Sequence, residues 1–216
     1  MSVLLKNILR VLYKNMYHDM IESLVAALEA KDYYTCGHSK RVAFMVCKLS
    51  KKLGVKGIEF EEIHIAAHLH DIGKIGIPDK ILNKNGKLTE DEWNYIKAHP
   101  KIGYNILRKS SRLKNISRIV LYHHERWDGK GYPDGLSKFE IPFGSRIISV
   151  CDSIDAMTST RSYRKALTFE KCINEIRANS GIMFDPLIVD CVLNNVFEFE
   201  KIINRFKQRD SDIWIN

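Results

Sequence analysis

Apolar residues in this chain recur at intervals of three and four and almost never alternate, so the chain reads as a set of packed helices with no sheet to organise it. Val42, Val46, Leu49 and Leu53 line one helical face, and Gly54 follows as a stop. Glu59 to Asp71 reads as a second helix, ended by Gly73. Thr89-Glu90-Asp91-Glu92 has the form of a capping box that opens a helix. Pro100 favours a break at His99 and a fresh start there. Ser111 to His124 is expected to be helical, Asp185-Pro186 to form an N-cap with proline at the first helical position, and the last helix to run towards Phe206. The one strand-like run, Arg146 to Val150, is continued by Asp152, Asp155 and Ala156 at helical spacing. Loops are expected at Lys74 to Lys87 and at Arg126 to Pro142, the second being dense in turn residues: Gly129, Gly131, Pro133, Gly135 and Pro142.

A length of 216 residues with 45% hydrophobic content suits one large domain, or one domain with a small appendage. The boundary is placed near Ala30, giving an N-terminal helical segment at 1–30 and the main domain at 31–216. The spacing of Leu5, Leu9 and Leu12, then Leu24, Ala27 and Leu28, predicts helices that pack on the main domain or on a second copy, making a homodimer. Met1 to Tyr17 is broken by Lys6, Arg10 and Lys14, which fits an amphipathic helix better than a signal-peptide core. No run of 18 apolar residues exists, so no membrane span is expected. The net charge of +8 suits an anionic partner without saying which. Nucleic acid is not expected, because the basic residues are scattered and no nucleic-acid motif is present. The five cysteines, Cys36, Cys47, Cys151, Cys172 and Cys191, are odd in number and form no C-x-x-C pair. That pattern points to a reducing cytoplasm, and Cys36 stands out only for lying two residues from His38.

Histidines and aspartates crowd the expected helix ends: His38, His70-Asp71, His99, His123-His124, Asp152 and Asp155. Imidazole and carboxylate are ligands for zinc, manganese and iron. A carboxylate has two oxygens and can bridge two ions about 3.5–4 Å apart. Neighbouring helical residues point about 100° apart, so His70 and Asp71 suit different sides of a two-metal cluster, with Asp71 bridging. The same holds for His123 and His124. His64 and His68 are read as ordinary helix residues, and His18 as a surface residue.

The stretch His70-Asp71-Ile72-Gly73-Lys74-Ile75-Gly76-Ile77-Pro78 resembles the signature of the HD-GYP family, a branch of the HD phosphohydrolases. The run from His123-His124-Glu125-Arg126 through Gly131-Tyr132-Pro133-Asp134-Gly135 resembles it too, as do Gly37-His38-Ser39, Lys97-Ala98-His99-Pro100 and Asp155-Ala156-Met157-Thr158-Ser159. The order and spacing hold from about Ala30 to Pro186. The resemblance implies an all-α HD-domain helical bundle, with the long glycine- and proline-rich loop beside the active site. It implies metal ligands at His70, Asp71, His99, His123, His124 and Asp152, and two divalent ions, iron or manganese. His38 stays open between a ligand and a residue that supports one. The implied activity is a phosphodiesterase that hydrolyses cyclic di-GMP to pGpG or GMP. Asp71, Lys74 and Asp155 would be catalytic, Asp155 by orienting water or protonating the leaving oxygen. Lys74, Arg161, Arg164, Tyr132 and Asp32 would contact substrate. A GGDEF-type protein would meet the Gly131-Tyr132-Pro133 loop.

The chain departs from the family pattern in places. Some members carry a glutamate four residues before the histidine at His38, and it accompanies a third metal; here that position is Tyr34. Ser162 stands for a common proline and Thr160 for an aspartate, and Phe139 disturbs an acidic turn. Two rival readings stay open: a different HD phosphohydrolase acting on a nucleotide or another cyclic dinucleotide, and a non-catalytic cyclic di-GMP sensor or docking module. The full ligand set favours an enzyme, because a sensor has no need of it.

Overall fold

The computed structural model describes residues 16, 18–32, 37–160 and 165–213, with side chains to residue 206. The first helix, α1, covers residues 18–29 and buries Ile21, Val25 and Leu28. Leu24 and Ala27 face outwards, so the buried stripe is offset from the Leu24, Ala27 and Leu28 set that spacing suggested. Leu5, Leu9, Leu12 and Tyr17 lie outside the described residues.

Helix α2 (His38–Lys52) carries Val42, Met45, Val46 and Leu49 into the core and stops where expected, with Gly54 at φ 78°. It packs on α3 (Gly57–Leu69) and on the later helix α8 (Phe143–Thr158). The helix expected to run through Asp71 ends two residues sooner, at Leu69, and a tight 3-10 segment, Ile72–Gly76, takes over. Gly73 is therefore not a helix stop. A Cβ there would sit 1.8 Å from the His99 carbonyl oxygen, so the residue must lack a side chain for the next layer to approach.

That layer begins with the short helix α4 (Asp79–Leu82) and α5 (Glu90–Lys97). The Thr89 hydroxyl accepts from the Glu92 N–H and the Glu92 carboxylate from the Thr89 N–H, completing the expected capping box. Helix α6 (His99–Leu107) starts afresh at His99, with Pro100 in its first turn. It lies against the 3-10 segment and α7 (Lys114–Leu121). Helix α7 ends at Leu121, so His123 and His124 stand in the turn beyond it rather than inside the helix.

The strand-like Arg146 to Val150 lies wholly within α8, where Ile147, Ile148, Val150, Cys151 and Ile154 are buried. Each such aliphatic side chain contributes about 1.5–3 kcal/mol by leaving water, which makes α8 the central column of the bundle. Helices α9 (Phe169–Ala178), α10 (Pro186–Leu193) and α11 (Val196–Ile213) close the far side. Asp185 caps α10 through the Leu187 N–H, as its Asp-Pro sequence implies. Among the described residues there is no strand beyond an isolated bridge between Ser180 and Phe184, and no helix is long and apolar enough to cross a membrane.

Candidate active site

Four histidines reach one point from the ends of different elements. His70, His99 and His123 share one local device: each Nδ1 faces the carbonyl oxygen three residues back, on Ala67 at 2.9 Å, Ile96 at 2.8 Å and Val120 at 2.6 Å. A carbonyl only accepts, so each Nδ1 carries the proton and each Nε2 keeps its lone pair. His38 reaches the same state differently, its Nδ1 donating to Asp155 Oδ2 at 2.7 Å.

The bare nitrogens then converge. His38 Nε2 lies 3.2 Å from His70 Nε2, and His99 Nε2 lies 3.3 Å from His123 Nε2. Lone pairs that face each other repel unless a cation stands between or beside them, so the donor set fits metal ions. Two groups of donors, one of His38, His70 and Asp152, the other of His99, His123 and His124, are joined by a third that overlaps both, His70, Asp71 and His123. Asp71 lies between them. Its Oδ2 is 3.4 Å from His70 Nε2 and 3.6 Å from His38 Nε2, and its Oδ1 is 3.4 Å from His99 Nε2. This is the arrangement a bridging carboxylate needs.

Electrostatics suit the same use. Burial pulls His99 down to about 4 and holds His123 and His124 well below the usual imidazole range, so all three stay neutral. Burial opposes the charge on Asp71, but Lys74, His70, His99 and His38 outweigh it and keep that carboxyl well below its ordinary value. Lys74 Nζ sits 2.8 Å from Asp71 Oδ2 and 3.3 Å from Asp32 Oδ2, which joins Asp32, Lys74 and Asp71 in one buried row.

The cluster forms the floor of a cavity of roughly 330 Å³. Asp32, Lys74, Tyr132 and Asp152 line it, and Ile81, Leu88, Trp93 and Ile96 add an apolar wall. Tyr132 stacks on His124 with ring centres 4.9 Å apart, and burial raises its phenol well above the ordinary value. The structure thus brings together His38, His70, Asp71, His99, His123, His124, Asp152, Lys74, Tyr132 and Asp32. Arg161 and Arg164 lie outside the described residues, as do Tyr34, Cys36 and Ser162. None of the four described cysteines is in a disulfide.

Asp155 is placed differently from its expected role beside water or a leaving oxygen. It is buried behind His38, and Arg41 Nε meets its Oδ1 at 2.6 Å while Arg41 Nη2 meets its Oδ2 at 3.1 Å. Burial disfavours its charge, yet His38 and Arg41 hold its carboxyl well below the usual range. Sequence reasoning missed Arg41, although its place one turn after His38 was a usable signal. It also gave no role to Glu125, whose Oε1 accepts from the N–H groups of Asp134 at 2.8 Å and Gly135 at 3.0 Å and so ties down the glycine-rich loop. Gly131 lets that loop close, since a Cβ there would be 2.4 Å from the Arg126 nitrogen.

The HD domain family model matches residues 22–188. A cyclic di-GMP phosphodiesterase of Thermotoga maritima is 39% identical over 201 residues, covering 92% of this chain and 55% of the relative. The cyclic di-GMP phosphodiesterase response regulator RpfG of Xanthomonas campestris is 40% identical over 190 residues, covering 87% of this chain and 50% of the relative. The chain thus spans about half the length of the curated relatives it matches. In fold it is similar to a cyclic GMP-AMP specific phosphodiesterase of V. cholerae, with a TM-score of 0.65 at 19% identity over 86% of this chain and 52% of that one. The chain belongs to the HD domain family, and within it to the HD-GYP branch.

Proposed function

We propose that the protein is a metal-dependent phosphodiesterase that hydrolyses cyclic di-GMP to pGpG or GMP. The observation that carries this reading is the convergence of His Nε2 atoms, with Asp71 between two donor groups, on the floor of a cavity. His38, His70 and Asp152 would hold one ion, His99, His123 and His124 the other, and Asp71 both. Iron or manganese suits these nitrogen and oxygen donors. Two such ions supply an ionised water near neutral pH and neutralise charge on phosphoryl oxygens.

The chain's own groups do the rest. Lys74, held by Asp71 and Asp32 at the cavity wall, presents an ammonium to a phosphate oxygen. Arg161 and Arg164 would add guanidinium forks to the second phosphate. Trp93, Ile81 and Leu88 offer an apolar face to a base, and Tyr132, kept as a neutral phenol, can donate to the substrate. Arg41 and Asp155 fix the His38 ring, a positioning role.

The same reading places the protein in the cytoplasm. It also gives the glycine-rich loop a GGDEF-type partner, for which Phe139, 78% exposed on that loop, supplies an apolar contact. A homodimer and the division at residue 30 belong to the same proposal. A different cyclic dinucleotide is the second reading, favoured by the relative of similar fold that is specific for cyclic GMP-AMP. The test is turnover of cyclic di-GMP and cyclic GMP-AMP side by side, using anaerobically prepared protein loaded with iron or manganese. Hydrolysis of cyclic di-GMP at the higher kcat/KM supports the proposal; hydrolysis of neither refutes it.

A further inference from the structure

Outside the cavity, three more histidines meet. His64 and His68 are one turn apart on α3, and His18 comes from α1. The ring centres of His64 and His68 are 4.8 Å apart, those of His18 and His68 5.6 Å, and those of His18 and His64 6.0 Å. One nitrogen from each can be chosen so that all three lie within 4.8 Å of one another. His68 and His70 are two residues apart, which turns them about 200° around a helical path. His70 therefore faces the active-site cluster while His68 faces α1.

We propose that His18, His64 and His68 form a separate metal site that binds one zinc-class divalent ion and ties α1 to α3. Three observations support it. Two histidines at i and i+4 present their rings on one helical face, a spacing suited to a single ion. His68 is 6% exposed, and its Nδ1 has no hydrogen-bond partner among the described residues, a cost that a metal bond would remove. His18 is exposed, which leaves the site open to an ion from solvent. Three imidazole nitrogens select zinc, or copper and nickel, over magnesium and calcium, which require oxygen. Tetrahedral zinc with bonds of about 2.0–2.1 Å puts its nitrogen ligands about 3.3 Å apart, so the rings need only a modest inward rotation. Glu22, one turn after His18, is paired with Lys40 at 2.7 Å and is not counted as a ligand.

The ion would act as a staple. Helix α1 leads directly to Asp32, the partner of Lys74 at the cavity wall, so fixing α1 also fixes that end of the row.

The experiment uses the untagged full chain equilibrated with zinc and freed of loose metal, with zinc per chain measured for the wild type, His18→Ala and His64→Gln. The result expected is one ion fewer per chain in each variant, with the rest retained in the active site. A second measurement, a zinc-edge anomalous map, should show a peak among the three imidazoles that persists in Asp71→Ala. His18 is exposed, so its variant tests the site without disturbing the core. Equal zinc in wild type and His18→Ala, or a map with no peak at the three rings, overturns the proposal.

Discussion

His38 donates its Nδ1 proton to Asp155 at 2.7 Å, and this single bond points the His38 Nε2 at Asp152, 3.3 Å away, in the interior of the donor cluster. The carboxylate is in turn gripped by Arg41. An imidazole with a charged partner behind it has one tautomer and one orientation, and is the more basic for it.

Asp155→Asn should therefore weaken metal binding without unfolding the chain. An amide can present its NH2 to His38 and favour the wrong tautomer. The expected loss is about 10–100-fold in metal affinity. Arg41→Ala should give a smaller loss in the same direction. Competition with a metal indicator measures both. Unchanged affinity in Asp155→Asn would mean that His38 is not a ligand.

Asp71→Ala should lose both ions, or one ion together with essentially all turnover, while its helical circular dichroism stays that of the wild type. Asp71 is the group whose two oxygens face both donor groups. Removing the metals from the wild type with a chelator should have the same effect on turnover, and adding manganese back should restore only the wild type. Normal metal content in Asp71→Ala would contradict the bridging role.

Gly73→Ala should be among the most damaging single-methyl changes in the protein. The added carbon would fall on the His99 carbonyl and, at 2.5 Å, on the Gly103 nitrogen, both backbone atoms that cannot swing aside. The backbone must part, at a cost at the upper end of the roughly 1–3 kcal/mol typical of overpacking. His99 moves with it, so both Tm and metal content should fall. A wild-type Tm would show that α6 does not press on the 3-10 segment.

Arg161→Ala and Arg164→Ala should raise KM for cyclic di-GMP and leave metal content alone. Each lost charged hydrogen bond is worth about 1.5–3 kcal/mol, and lysine in place of either arginine should restore only part, because an ammonium cannot make the planar two-point contact. Wild-type kinetics in both alanine variants would place the phosphates elsewhere.

Much of the helical plan was legible in the chain, because its signals are local. The Thr89 to Glu92 box, the break at His99, the glycine after Leu53 and the Asp185 cap each depend on residues within one turn. The candidate donors were legible too, through motifs whose order and spacing resemble the HD-GYP family rather than through any single histidine or aspartate. What the sequence could not determine is what faces what. Asp155 lies on the same helix as Asp152, and only the docking of α8 on α2 turns Asp155 behind His38 and leaves Asp152 at the cavity wall. His64 and His68 read as ordinary helix residues until α1 brought His18 against them. Gly73 read as a helix stop until α6 came to rest on it. In each case the deciding partner is distant in sequence. Periodicity tells a helix which face to bury, but only the packing of whole elements decides which side chain of another helix that face will meet.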